Sequence, residues 1–214
     1  MARPRKALLD LDKIADTALE LVDESGDFTV PEMARRLGVQ TASIYHHVDG
    51  RSGIVELLRA RLGNDVDATA LEGQPWESAL LAFARSYRAV FAAHPHVVPL
   101  LAREPVRAPG VLAIYERAVV LMEQAGIPLE LVMTALTAVD NFILGSALDL
   151  AAPEVMWAIP PDVAAPRLAA ALAAQSASPS RADQAFDFGI TVLIEGCGRL
   201  LEHNAGSPQP PSGP

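Results

Sequence analysis

Apolar side chains recur along this chain at i, i+3, i+4 and i+7, glycine and proline punctuate them, and no run of β-branched residues alternates for long. That periodicity argues against a sheet and predicts an all-α fold. A helix over about 10–23 carries Ile14, Ala18, Leu21 and Val22 on one face and stops at Ser25-Gly26. Thr29 suits the N-cap of a short helix whose stripe is Val30, Met33, Ala34 and Leu37, closed by Gly38. A third short helix covers about 41–47, and Asp49-Gly50 turns the chain into a fourth, from 51 to about 67. Past Gly73 the helices lengthen: Trp76, Leu80, Phe83, Ala84, Tyr87, Val90 and Phe91 share one face until Pro95 and Pro99 interrupt it. Further helices are expected over 111–125, from Pro128 at a first helical position to about 150, near 165–175 within a loop-rich stretch, and over about 183–203. The proline-rich tail 205–214 is expected to be disordered.

Composition narrows the function. One cysteine, Cys197, allows no intrachain disulfide, and the longest apolar stretches, such as 131–139, run about half the ~20 residues of a membrane helix. With no signal-like start, a cytoplasmic protein with no membrane partner is expected. The net charge of −9 disfavours a general polyanion binder, but it is unevenly spread. Residues 1–61 hold nine basic and ten acidic side chains, whereas 62–214 hold eight and sixteen. Nucleic-acid contact therefore belongs to the first part, whose tip carries the basic arm Arg3, Arg5 and Lys6. No G-x-S-x-G, H-E-x-x-H or glycine-rich phosphate loop is present, so no catalytic residue is assigned and the chain is not read as an enzyme.

The sharpest local signal is Ala34, Gly38 and Ile44, spaced for a helix-turn-helix. A steep crossing needs a small residue at the contact, glycine in the turn and an apolar plug from the second helix. Thr41, Ser43, His46 and His47, preceded by Gln40, then lie on the exposed face of a helix narrow enough for the ~12 Å major groove. A plain helical hairpin would need neither the turn glycine nor a basic arm.

The segment Thr29-Val-Pro-Glu-Met-Ala-Arg-Arg-Leu-Gly-Val-Gln-Thr-Ala-Ser-Ile-Tyr-His-His-Val, with Arg51 opening the next helix, resembles the DNA-binding domain of TetR-family transcriptional repressors. The resemblance implies phosphate contacts by Tyr45 and Arg51, adds Ala42 to the recognition face, and makes Thr29, at the head of the motif, a further contact candidate. Pro31 and Asp49 stand where the tetracycline repressor carries basic residues, so base preference is not carried over. They also leave open a dimeric co-regulator of the same fold without sequence-specific DNA binding.

The likeness to the tetracycline-repressor branch continues through Leu71-Glu-Gly-Gln-Pro-Trp76, Ala135-Leu-Thr-Ala-Val139 and Phe186-Asp-Phe-Gly189. It implies a head at 1–50, a connecting helix at 51–70 and an effector-binding, dimerising domain at 71–204. The implied homodimer pairs helices 128–150 and 183–203 with their copies. Gly189, Gly196 and Gly198 weaken a helix by roughly 1 kcal/mol each, which a close backbone approach would explain, whether from a second copy or from within the subunit. The implied effector cavity is lined by Phe83, Tyr87, Leu101, Glu104, Tyr115, Met122, Asn141 and Trp157. Phe83 and Leu101 replace the branch's drug-gripping asparagine and metal-binding histidine, and Asp65 falls near another drug-contacting histidine, so a more apolar effector held without metal or cofactor is expected. His94 and His96 alone are too few ligands to predict a metal site.

Overall fold

The computed structural model describes residues 9–175 and 180–205, and within them the chain is helical with no strand. Its elements are α1 (Leu11–Ser25), α2 (Val30–Leu37), α3 (Thr41–Tyr45), α4 (Gly50–Asp65), a 3-10 turn (Ala68–Glu72), α5 (Trp76–Ala93), a second 3-10 turn (Pro95–Val97), α6 (Val98–Leu101), α7 (Pro109–Gln124), α8 (Leu129–Leu150), α9 (Pro166–Ala174) and α10 (Arg181–Ala205). The arm residues Arg3, Arg5 and Lys6 lie outside the described residues, as does the tail beyond Ala205.

The caps explain the first helices. The Asp10 carboxylate accepts from the Lys13 amide at 2.9 Å, and α1 ends at Gly26, whose φ of 81° only glycine adopts freely. Thr29 Oγ1 accepts from the Glu32 amide at 3.3 Å, and Pro31 sits in the first turn of α2, where its missing N–H leaves no bond unmade. The turn after α2 uses Gly38 at φ 67°, and the Val39 amide reaches back to the Ala34 carbonyl at 3.0 Å. Ile14, Leu21, Phe28, Met33, Ile44, Ile54 and Leu58 close over one another without solvent contact. Full burial of such a side chain contributes about 1.5–3 kcal/mol, enough to hold three short helices that would not persist alone.

Several boundaries differ from expectation. The third helix is five residues long, because after Tyr45 the amides of His47 and Val48 both turn onto the Ile44 carbonyl, at 2.9 and 3.1 Å. Pro128 is the extended N-cap of α8 and not its first helical residue. The last helix begins at Arg181, since Ser180 Oγ accepts from the Asp183 amide at 3.2 Å and caps it early. The 3-10 turn at Ala68–Glu72 is an addition within the connection, nucleated by Asp67 accepting from the Thr69 amide.

In the body, α5 packs on α8 and α10, and α8 on α7 and α10. Arg88 fastens this assembly from inside: it donates to Asp183 at 2.6 Å and to the Ala182 carbonyl at 2.9 Å, and stacks over Phe186 with 4.5 Å to the ring centre. By length and composition α8 is apolar enough to cross a bilayer, which the uninterrupted runs of the sequence did not suggest. Its inner face, with Val132, Leu136, Val139, Ile143 and Ala147, is instead buried against its neighbours.

The three glycines of α10 divide. A Cβ on Gly189 would come within 2.4 Å of the Phe142 ring, so this glycine answers to packing within the subunit, whereas Gly196 and Gly198 face open space. Phe142 is itself stacked on Phe186 at 5.9 Å and has little freedom to withdraw. Gly189→Ala is expected to lower stability by about 1–3 kcal/mol through overpacking. Adding Phe142→Leu should recover part of it in a denaturant titration; no recovery would place the clash elsewhere.

Candidate nucleic-acid interface and cavity

Ile44 is the plug of the helix-turn-helix: it is fully buried while its neighbours turn outward. Gln40, Thr41, Ala42, Tyr45, His46 and His47 are exposed and Ser43 is half-buried, with Tyr45 55% exposed. The N-cap Gln40 makes no side-chain capping bond. Thr29, by contrast, is engaged as the cap of α2. Arg51 is committed inside the head: it donates to the Phe28 carbonyl at 2.8 Å, pairs with Asp27 and lies 4.4 Å over the Phe28 ring. These contacts pin the start of α4 to the α1–α2 turn and leave the side chain 47% exposed. Arg36 is held by both carboxylate oxygens of Glu24, at 2.9 and 2.7 Å.

The body holds a cavity of about 300 Å³ between α4, α5, the 101–111 segment, α7 and α8. Phe83, Tyr87, Leu101, Glu104, Tyr115 and Asn141 border it. Met122 does not; it is fully buried core one turn beyond Ala118 along α7. Trp157 does not either: it is 50% exposed in the loop after α8, with the Arg181 guanidinium 5.5 Å from its ring centre. Most of the remaining wall is apolar, including Leu80, Phe91, Ile114, Leu136 and Ile143.

Two polar wall residues were absent from the sequence expectation. Asp140 accepts the Tyr87 hydroxyl at 2.8 Å, and the Tyr115 phenol also acts on its carboxylate. Burial pushes its carboxyl above the ordinary value, against the two phenols and the Arg59 charge, which favour ionisation. Burial likewise raises Tyr87 well above its usual range and pushes Tyr115 up to about 12, so both remain neutral donors.

Arg59 belongs to a stripe on α4. Ser52, Glu56, Arg59 and Gly63, at spacings of four, seven and eleven, all face the 101–111 segment. Ser52 Oγ donates to Glu104 at 2.8 Å. Glu56 accepts from the backbone amides of Arg107 and Ala108, both at 2.7 Å, just ahead of α7. Arg59 gives Nε to Glu56 at 2.8 Å and Nη2 to the carbonyls of Leu101 and Glu104 at 2.9 and 2.8 Å. At Gly63 an added Cβ would lie 2.8 Å from Val111, so α4 and α7 touch closely there. Burial pushes the Glu56 carboxyl up, but the Arg59 guanidinium and the two amides together hold it below its ordinary value.

The two histidines of the 94–96 turn clasp α1 to the body. His94 Nδ1 lies 2.8 Å from the Asp23 carboxylate, and His96 Nδ1 lies 3.2 Å from the Val22 carbonyl, at the end of α1. Among the described residues no three His, Cys, Asp or Glu side chains converge on a metal position.

A family profile described as "Tetracyclin repressor-like, C-terminal domain" matches residues 69–201. An HTH-type transcriptional regulator of Saccharopolyspora erythraea is 30% identical over 143 residues, covering 66% of this chain and 61% of that relative, so the chain spans less than two thirds of its length. Tetracycline repressor protein class D of Escherichia coli is 28% identical over 201 residues, 89% of each chain. Among solved structures, ActR of Streptomyces coelicolor in complex with actinorhodin shares the fold at a TM-score of 0.73 and 22% identity, covering 93% of this chain and 99% of that one.

A carboxyl whose folded-state proton affinity exceeds its unfolded one favours folding at low pH. That contribution is lost as pH rises from about 4 through the raised value. Asp140→Asn is therefore expected to gain on the wild type in Tm between pH 4 and pH 7. A variant that keeps pace with the wild type, or loses ground to it, over that range would contradict the burial of this charge.

Proposed function

Because this chain belongs to the tetracycline-repressor-like family of transcriptional regulators, we propose that it binds a near-palindromic DNA operator as a homodimer and releases it when a small, largely apolar molecule enters the cavity. The observation that carries this reading is the outward presentation of Thr41, Ala42, Ser43, His46 and His47 around a buried Ile44. The hydroxyls and imidazoles among them suit base edges, the Ala42 methyl suits an apolar base contact, and Tyr45 beside them suits a phosphate. The arm Arg3, Arg5 and Lys6 adds positive charge to a head in which Arg36 and Arg51 already engage carboxylates.

The second copy is assigned to the outer faces of α8 and α10. Phe188 is 74% exposed, Val192 and Leu148 are exposed beside it, and Gly196 and Gly198 leave room for a neighbouring backbone. A two-fold pair then sets its recognition helices about 34–36 Å apart, one turn of DNA. The stripe on α4 is the route from cavity to head: Leu101, Ala102, Glu104 and Val106 border the cavity, and the same segment is bonded to Ser52, Glu56 and Arg59. A ligand that displaces this segment has to drag α4, and with it α3. Phe83 and Leu101 on the wall offer no metal ligand, which supports an effector other than a magnesium chelate.

The committed Arg51 and exposed Asp49 favour one competitor, a dimeric co-regulator without sequence-specific DNA binding. Selection from a random duplex pool separates the two. The operator reading expects an inverted repeat whose affinity falls steeply with salt, and a loss of about 1–3 kcal/mol of discrimination at one base position in His46→Ala or Thr41→Ala. No enriched sequence, or α3 variants that bind like the wild type, would overturn it in favour of the co-regulator.

A further inference from the structure

Three of the cavity's polar wall residues, Tyr87, Tyr115 and Asp140, meet at one pole. Asp140, midway along α8, accepts the Tyr87 hydroxyl from α5 at 2.8 Å, and Tyr115 of α7 also acts on its carboxylate. A phenol has a single proton, and with that of Tyr87 directed at the carboxylate the pole shows the cavity the lone pairs of Asp140 and of the Tyr87 oxygen. Asp140 forms no ion pair among the described residues. Arg59, the cation among the lining residues, already gives Nε to Glu56 and Nη2 to two carbonyls. Glu104, the second carboxylate of the wall, accepts from Ser52 and adds no positive charge.

A buried carboxylate with no directly paired cation is unfavourable: burial raises the proton affinity of Asp140, and the Arg59 charge offsets this only in part. A ligand that brings its own cation relieves it. A neutral ligand leaves it in place, and an anionic one worsens it. Away from the pole, Phe83, Phe91, Leu136 and Ile143 offer a ring-sized apolar body its contact surface.

We propose that the cavity selects a cationic amphiphile, an apolar ring body bearing a protonated amine that docks on Asp140 between the hydroxyl oxygens of Tyr87 and Tyr115. This deepens, and rests on, the reading of the cavity as the effector site. The ammonium donates to Asp140 and to the phenol oxygens, while the ring body lies along α5 and α8.

The test is a pair of probes of equal shape, naphthylethylamine and naphthylethyl methyl ether, titrated by fluorescence against the full chain and against Asp140→Asn at about pH 7. The amine is expected to bind the wild type at least about tenfold more tightly than the ether, as a hydrogen bond between charged groups provides. Asp140→Asn should abolish that preference and leave the ether within about twofold. Should the variant not fold, the wild type serves: its preference for the amine must fall as pH is lowered through the titration of Asp140. Equal binding of both probes, a preference that survives Asp140→Asn, or one indifferent to pH, would overturn the proposal and leave the effector cavity standing. If neither probe binds at all, the cavity is not a ligand site and the proposal falls with it.

Discussion

The clasp between α4 and the 101–111 segment is what makes head and body one mechanical unit. Glu56 takes two backbone amides ahead of α7, and Arg59 gives to two carbonyls behind α6, so one ion pair on a single helical face holds both ends of the same short segment. Hydrogen bonds to charged groups contribute about 1.5–3 kcal/mol each. Allosteric coupling asks for about 1–3 kcal/mol in total, so the displacement of one or two of these bonds is a sufficient signal. The clasp is largely withdrawn from solvent, with Arg59 and Glu56 side chains 11% and 14% exposed, which protects it from the screening that empties surface ion pairs of their energy.

From that constraint the positions of cavity and head follow. The segment held by α4 is also a wall of the cavity, so any ligand large enough to press on Leu101 or Val106 presses on the clasp. At the other end, Arg51 fixes the start of α4 to Phe28 and Asp27, and α3 is held to the same core by Ile44. The head therefore moves with α4 and not about it. His94 and His96 provide a second attachment, at the end of α1, which gives the head a pivot distinct from the clasp.

Much of this was legible in the sequence, for identifiable reasons. Burial imposes a period on long helices, so Trp76 to Phe91 announced α5, and the cap Thr29 with the glycines 26 and 38 marked the start of α2 and the ends of α1 and α2. Ala34, Gly38 and Ile44 fixed the turn because each position has a steric requirement few residues meet. What escaped depends on distant pairings. Nothing local tells that Arg51 meets Asp27 and Phe28, or that Ser180 caps α10 before Asp183. Asp140 was hidden inside an apolar run read for its hydrophobic face, and its importance arises only when Tyr87 and Tyr115 converge on it. The stripe Ser52, Glu56, Arg59 and Gly63 did carry a signal, a helical repeat of polar and small residues on a helix whose other face holds Ile54 and Leu58; attention to the apolar face alone missed it.

Glu56 touches neither the cavity nor α3, so removing it probes transmission alone. The decisive measurement is the affinity of the selected duplex, with and without a saturating naphthyl probe, for the wild type and for Glu56→Ala. The account predicts that Glu56→Ala binds duplex and probe separately within about threefold of the wild type while the ratio between its two duplex affinities collapses toward one. A ratio equal to that of the wild type would show that the signal does not pass through the clasp.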